Sequence, residues 1–135
     1  MMQCAGQSAG SVKGIGIDLV RISEIKQLDK RTRGSFVART FTDSEQAEAQ
    51  SSLNPWMYYA ERYAVKEAVF KAVAHLTNTE TFDFRIVETL QGANGIPMIT
   101  QTNALAPILT DANVAHLFVT ISSNDNYCIA FVLAC

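Results

Sequence analysis

The sequence predicts an α+β domain in which an antiparallel β-sheet packs against one long helix and several shorter helices. Three observations predict it: a strand-like segment opens the chain, helical segments follow, and strand-like segments joined by short turns close it. With 135 residues, 48% hydrophobic and 18% charged, the chain has the size and apolar content of one compact domain. We therefore expect a single domain over residues 12–135, preceded by a disordered or frayed segment over residues 1–11.

The first predicted element is a strand over residues 12–20, rich in β-branched residues with a period of two. Its isoleucines share one face, while Gly14, Gly16 and Asp18 share the other. Because glycine has no side chain, another backbone or a ligand can approach this second face closely.

Helical signals follow the strand. A helix is expected from Ser23, whose hydroxyl can cap it, and Thr42 with Glu45 forms the capping box of a second helix. The strongest helix prediction covers residues 56–76, which contain no Gly or Pro and follow an Asn-Pro pair suited to a helix start.

The second half of the chain predicts β-hairpins. Turn residues at 91–95 and 124–126 separate the strand-like segments, so these segments pair as two hairpins. A short helix lies between the hairpins, around residues 104–112. The predicted strands cover residues 81–90, 96–100, 117–123 and 127–133.

Charge and hydropathy exclude several classes of protein. The 11 Lys and Arg residues against 13 Asp and Glu residues give a net charge of −2, which argues against nucleic-acid binding by bulk positive charge. No apolar run approaches the roughly 20 residues that span a bilayer, so no membrane association is expected. Residues 1–10 lack the features of a secretory signal, and we expect a cytoplasmic protein.

Glu67 is the most informative residue of the long helix. It falls within a stripe that helical spacing predicts to face the core, where a carboxylate is costly unless it is paired or binds a metal. Two interpretations of Glu67 are open: it forms an ion pair with a flanking cation, or it has a functional role. The stripe consists of Trp56, Tyr63, Phe70 and Ala74, and the flanking cations are Arg62, Lys66 and Lys71.

Asp18, near the end of the first strand, is the second candidate. Alone, it would be an acid that ends a strand at a turn or cap. If Asp18 and Glu67 converge, they supply two hard oxygen ligands with open positions, which suit Mg²⁺ that carries a substrate phosphate.

Three motifs carry a resemblance to a known family. GIGIDLV at residues 14–20, RTFTDSE at 39–45 and RYAVKEAVFKA at 62–72 occur in order, and FDFRIV at 82–87 and a Gly-x-Pro turn follow. In order, interval and total length the chain resembles the 4′-phosphopantetheinyl transferases of the holo-acyl-carrier-protein synthase type.

This resemblance implies a Mg²⁺-dependent enzyme that transfers phosphopantetheine from coenzyme A to a serine of an acyl carrier protein. It implies that Asp18 and Glu67 are the Mg²⁺ ligands and that Arg62, Lys66 and Lys71 lie near the coenzyme phosphates. The catalytic proton acceptor is either Glu67, through a metal-bound water, or Lys66.

The resemblance also implies partners. Similar enzymes form trimers with the site between neighbouring subunits, so a homotrimer is expected. An acidic carrier protein could bind a basic face of the first helix, although such a run is often only a solvated face. The residues of that face are Arg21, Lys26, Lys30, Arg31 and Arg33.

The chain departs from the family at three positions. Ala74-His75-Leu76 replaces a Gly-Thr-Gly-like loop, Ile96 replaces a turn lysine, and the late strand ends in Ser123 where the family has histidine. Ser123 is the remaining candidate for a coenzyme contact there, without the histidine's charge. These losses favour the alternative function, a non-catalytic relative that binds coenzyme A or a carrier protein as an assembly module.

Overall fold

The fold is described by a computed structural model that covers residues 11–78 and 82–135. The predicted disordered segment 1–11 lies outside the described residues except for Ser11, and so do residues 79–81. The helices are α1 (Ile22–Arg31), α2 (Ser35–Thr40), α3 (Asp43–Gln50), α4 (Pro55–Val73) and α5 (Leu105–Asp111). The strands are β1 (Gly14–Arg21), β2 (Glu88–Gln91), β3 (Pro97–Thr100), β4 (Leu117–Ser123) and β5 (Tyr127–Ala134).

Two antiparallel sheets form, and α4 packs against the larger one. The larger sheet has the order β1-β5-β4, and β2 with β3 forms a separate hairpin. The α+β class, the long helix and both predicted hairpins are therefore confirmed. The capping box at Thr42 and Glu45 is also present.

The glycine face of β1 lies directly against the backbone of α4. A Cβ placed on Gly14 would lie 1.9 Å from the carbonyl oxygen of Ala72, and one on Gly16 would lie 1.8 Å from that of Ala68. Contacts this short leave no room for a side chain, so the backbone that approaches this face is that of α4. This close packing fixes which side of α4 faces the core.

The opposite side of the larger sheet is apolar and exposed. Alternate residues of β1 point away from α4 and are 53–63% exposed, namely Ile15, Ile17 and Leu19. β4 and β5 add Phe118, Tyr127 and Phe131, each 36–41% exposed. We call these six residues the outer sheet face.

Two local predictions are wrong, and one short helix is missing from the prediction. α1 begins at Ile22 with Arg21 at the N-cap, and no side chain caps it, so Ser23 is not its cap. Residues 82–90 are not one strand, because a 3₁₀ turn at Phe84–Ile86, capped by Asp83, precedes β2. Helix α2 carries no strong local signal and has no counterpart in the prediction.

None of the helices within the described ranges has the length and hydropathy that a membrane crossing requires.

Candidate active site

Asp18 and Glu67 line the same cavity. It has a volume of about 600 Å³ and lies between the end of β1, helix α1 and helix α4. β1 brings Asp18 to it from the face that touches α4, and α4 brings Glu67. Its other polar lining residues are Glu24, Gln27, Arg31, Tyr63 and Lys71.

Lys71 links the two elements that carry these carboxylates. Its Nζ donates to the carbonyl oxygen of Ile17 at 2.9 Å and to Oδ1 of Asp18 at 3.1 Å. The Asp18 side chain is 16% exposed, whereas that of Lys71 is 50% exposed. Half-exposed ion pairs contribute little to stability, so Lys71 can exchange this contact for a substrate anion at little cost.

Glu67 lies at the edge of the core. The prediction that its stripe of α4 faces the core is therefore wrong. Trp56, Tyr63, Phe70 and Ala74 are only partly buried, like Glu67 itself. The completely buried side of α4 contains small residues that match the glycines of β1: Ala60, Ala64, Ala68 and Ala72. Glu67 therefore faces a cavity in which a carboxylate can meet a ligand.

Tyr63 adds a phenol to this cavity one helical turn before Glu67. Burial is the largest cause that raises the pKa of Tyr63 to about 12, and the charge of Glu67 and a hydrogen bond to it act in the same direction. The negative charge of Asp18 adds to the effect. At neutral pH the hydroxyl therefore keeps its proton and acts as a donor.

The structure does not bring Lys66, a predicted catalytic residue and coenzyme contact, to this cavity. Its ammonium group is completely buried and forms a 2.8 Å ion pair with Glu45. It also donates to the carbonyl oxygens of Phe84 and Val87. These three acceptors match its three protons, which leaves no lone pair to accept a proton from a substrate. Lys66 ties α4 to α3 and to the segment before β2.

Arg62 and Ser123, two predicted coenzyme contacts, also lie outside the cavity. Arg62 is 3% exposed, and its Nε donates to the carbonyl oxygen of Thr89 at 2.9 Å. Its guanidinium stacks on the ring of Tyr58, 4.2 Å from the centroid. Ser123 donates to Glu61 at 2.8 Å on the exposed end of β4.

Sequence reasoning misses four polar residues that line the cavity. It places Tyr63 in a packing stripe and Arg31 on a carrier-binding face, and it gives Glu24 and Gln27 no role. Tyr63 and Glu67 are four residues apart on one helix, so the sequence alone predicts that their side chains are neighbours. The positions of Arg31 and Glu24 depend on how α1 folds back on β1, which no local spacing encodes.

The donor set fits Mg²⁺ that is shared with a phosphate-bearing substrate. Asp18 and Glu67 provide hard carboxylate oxygens, and Mg²⁺ is commonly held by one or two carboxylates plus substrate phosphates. Within residues 11–78 and 82–135, no cluster of three or more His, Cys, Asp or Glu residues is arranged to enclose a metal. Substrate oxygens would therefore complete the coordination shell.

Comparison with known proteins identifies the family. Residues 14–132 match the model of the 4′-phosphopantetheinyl transferase superfamily. This chain belongs to that superfamily. A curated holo-[acyl-carrier-protein] synthase of Desulforudis audaxviator is 30% identical over 123 residues, which cover 91% of this chain and 92% of the relative.

Solved structures of this superfamily share the fold. The holo-[acyl-carrier-protein] synthase of Neisseria meningitidis superposes with a TM-score of 0.83 at 30% identity, and the match covers 92% of this chain and 98% of that one. The Helicobacter pylori synthase, solved in complex with coenzyme A, gives a TM-score of 0.75 at 26% identity. That match covers 90% of this chain and 99% of the other.

Proposed function

We propose that the Asp18–Glu67 cavity is where this enzyme transfers phosphopantetheine from coenzyme A to a serine of an acyl carrier protein, with release of 3′,5′-adenosine diphosphate. The activity follows from the family to which the chain belongs. The observation that supports the location is that two carboxylates from distant parts of the chain line one cavity beside a half-exposed lysine.

Asp18 and Glu67 would hold Mg²⁺, which when bound neutralises the charge of the coenzyme pyrophosphate and polarises the phosphorus under attack. Lys71 contributes a cation that can move from Asp18 to a phosphate oxygen. Arg31 of α1, which also lines the cavity, offers a second cation. Phosphoryl transfer depends chiefly on such positioning and charge neutralisation.

The carrier serine must lose its proton as it attacks. Of the two predicted acceptors, Lys66 has its protons bound to three buried acceptors. Glu67 faces the cavity, where its carboxylate oxygens can act as acceptors. We therefore assign the proton to Glu67, through a water molecule.

A transfer assay tests this location. The chain is incubated with coenzyme A, Mg²⁺ and an apo-carrier protein, and mass spectrometry follows the mass added to the carrier serine. We expect wild-type protein to add one phosphopantetheine and Asp18→Ala and Glu67→Ala to lose the activity with unchanged circular dichroism. Asp111→Ala, which removes an exposed carboxylate on α5, is the matched control and should be fully active.

Two results would contradict the proposal. Full turnover by either Asp18→Ala or Glu67→Ala would show that the reaction does not require the proposed metal pair. A wild-type protein that adds no mass to several carrier proteins would favour the alternative of a non-catalytic binding or assembly module.

We further propose that the outer sheet face packs against other copies of the chain in a homotrimer. Six large apolar side chains on one exposed face are typical of a surface that is covered in the assembled protein. The resemblance implies a site between neighbouring subunits, and Ser123 stays a predicted coenzyme contact. The predicted cytoplasmic location also stays a prediction.

Sedimentation equilibrium tests the assembly. Wild-type protein should have three times the chain mass, and Ile17→Lys, which places a charge on the outer sheet face in the middle of β1, should be monomeric. A monomeric wild type, or a variant that assembles as wild type does, would contradict this interface.

A further inference from the structure

The aromatic ring of Tyr63 is held in place by two neighbouring rings. Its centroid lies 5.7 Å from that of Phe36 on α2 and 5.6 Å from that of Phe84 in the 3₁₀ turn before β2. The contact with Phe84 is edge-on, with an interplanar angle of 88°. The ring thus contacts two elements outside α4, which restricts its rotation.

The hydroxyl-bearing ring shares the cavity with Glu67. Both side chains line it, and the negative charge of Glu67 contributes to the raised pKa of Tyr63. Their four-residue separation on α4 puts them on the same side of the helix. A carboxylate has several lone pairs, so one donor leaves positions free for a cation.

Glu67 has no cationic partner that could orient it instead. Among the ion pairs of the described ranges, Lys71 binds Asp18, Lys66 binds Glu45 and Arg62 lies near Glu48. The cavity cation Lys71 thus binds Asp18, whereas the neutral donor that lines the cavity one helical turn from Glu67 is the Tyr63 phenol. A neutral donor orients the carboxylate without neutralising the charge that attracts a metal.

We propose that Tyr63 is a positioning residue whose hydroxyl donates to the Glu67 carboxylate and so orients it for binding of a divalent cation. This inference rests on the proposed function, because it takes Asp18 and Glu67 as the metal pair. Hydrogen bonds to metal-binding carboxylates fix their orientation, and removing such a partner typically lowers metal affinity or activity about 10- to 100-fold.

The test compares Mn²⁺ binding by wild-type protein, Tyr63→Phe and Tyr58→Phe. Mn²⁺ replaces Mg²⁺ because its electron paramagnetic resonance signal reports the free ion directly, without any turnover. Tyr63→Phe keeps the ring between its two neighbours and removes only the hydroxyl. Tyr58→Phe removes a hydroxyl that donates to Glu48 at 2.6 Å outside the cavity, and is the matched control.

We expect Tyr63→Phe to weaken Mn²⁺ binding about 10-fold or more, while its circular dichroism spectrum without metal stays that of the wild type. In the transfer assay, its half-saturating Mg²⁺ concentration should rise by a similar factor. Tyr58→Phe should bind Mn²⁺ as the wild type does.

The outcomes separate this inference from the proposed function. If Tyr63→Phe binds Mn²⁺ as wild type does while Glu67→Gln does not, the metal pair stands and the role of Tyr63 is refuted. If Glu67→Gln binds Mn²⁺ as wild type does, or the wild type does not bind it, the metal pair fails and the role of Tyr63 fails with it.

Discussion

Replacement of Lys66 by methionine tests the structural role that its contacts indicate. Methionine is similar in length but removes the charge and all three protons. The Glu45 carboxylate would then stay buried without its cation, although it keeps the backbone N–H groups of Thr42 and Thr89. The carbonyl oxygens of Phe84 and Val87 would each lose a donor.

The expected loss is large because both partners of the ion pair have 0% exposed side chains. Removing one partner of a buried pair typically costs about 3–5 kcal/mol, out of a total free energy of unfolding of about 5–15 kcal/mol. The matched control is Lys71→Met, which breaks the half-exposed pair with Asp18. That change should cost about 0–1 kcal/mol.

Urea unfolding followed by circular dichroism measures both values at one protein concentration. With a urea dependence of about 1–3 kcal/mol/M, Lys66→Met should lower the midpoint by about 1 M or more. A Lys66→Met variant within 1 kcal/mol of the wild type would refute the reasoning. If that variant also lost transfer activity, Lys66 would regain the catalytic role that the sequence predicts.

Three further perturbations test the packing, the titration and the cavity wall. Gly16→Ala should lower the free energy of unfolding, measured in urea, by about 1–3 kcal/mol or more, because the new Cβ would lie 1.8 Å from the carbonyl oxygen of Ala68. An unchanged free energy of unfolding would contradict the packing of β1 on α4. Because the pKa of Tyr63 is raised to about 12 from 10.0, its contribution to stability should be complete below pH 10 and lost as the pH rises through 12. Tyr63→Phe should show a smaller alkaline loss than wild type, and an equal loss would contradict the raised pKa. Arg31→Ala should raise the KM for coenzyme A several-fold, while Lys30→Ala, outside the cavity lining, should leave that KM unchanged. Equal effects of the two changes would contradict a specific role for Arg31 in the cavity.

Local patterns account for the parts of the fold that were predictable. The capping box at Thr42 and Glu45 involves residues three apart, and the start of α4 is encoded by Asn54 and Pro55. Long-range contacts account for what was missed. Glu45 also forms an ion pair with Lys66, 21 residues away, and this contact holds the Lys66 ammonium group outside the candidate active site.

The side of α4 that faces the core was also beyond local prediction. Apolar residues occur around much of this helix, so spacing alone assigned the aromatic stripe to the core. The choice is made by Gly14 and Gly16, which allow β1 to contact the alanine side of α4. The glycines predict that another backbone can pack closely against β1. Which segment supplies that backbone depends on the tertiary fold and cannot be predicted from local sequence.

A crystal structure with coenzyme A and Mg²⁺ would test the central claim most directly. We expect one oxygen of Asp18 and one of Glu67 each to lie about 2.0–2.1 Å from the same ion, with coenzyme phosphate oxygens completing its shell. Lys71 should then contact a phosphate oxygen. Coenzyme bound elsewhere on the protein, or an ion that contacts neither carboxylate, would contradict the account.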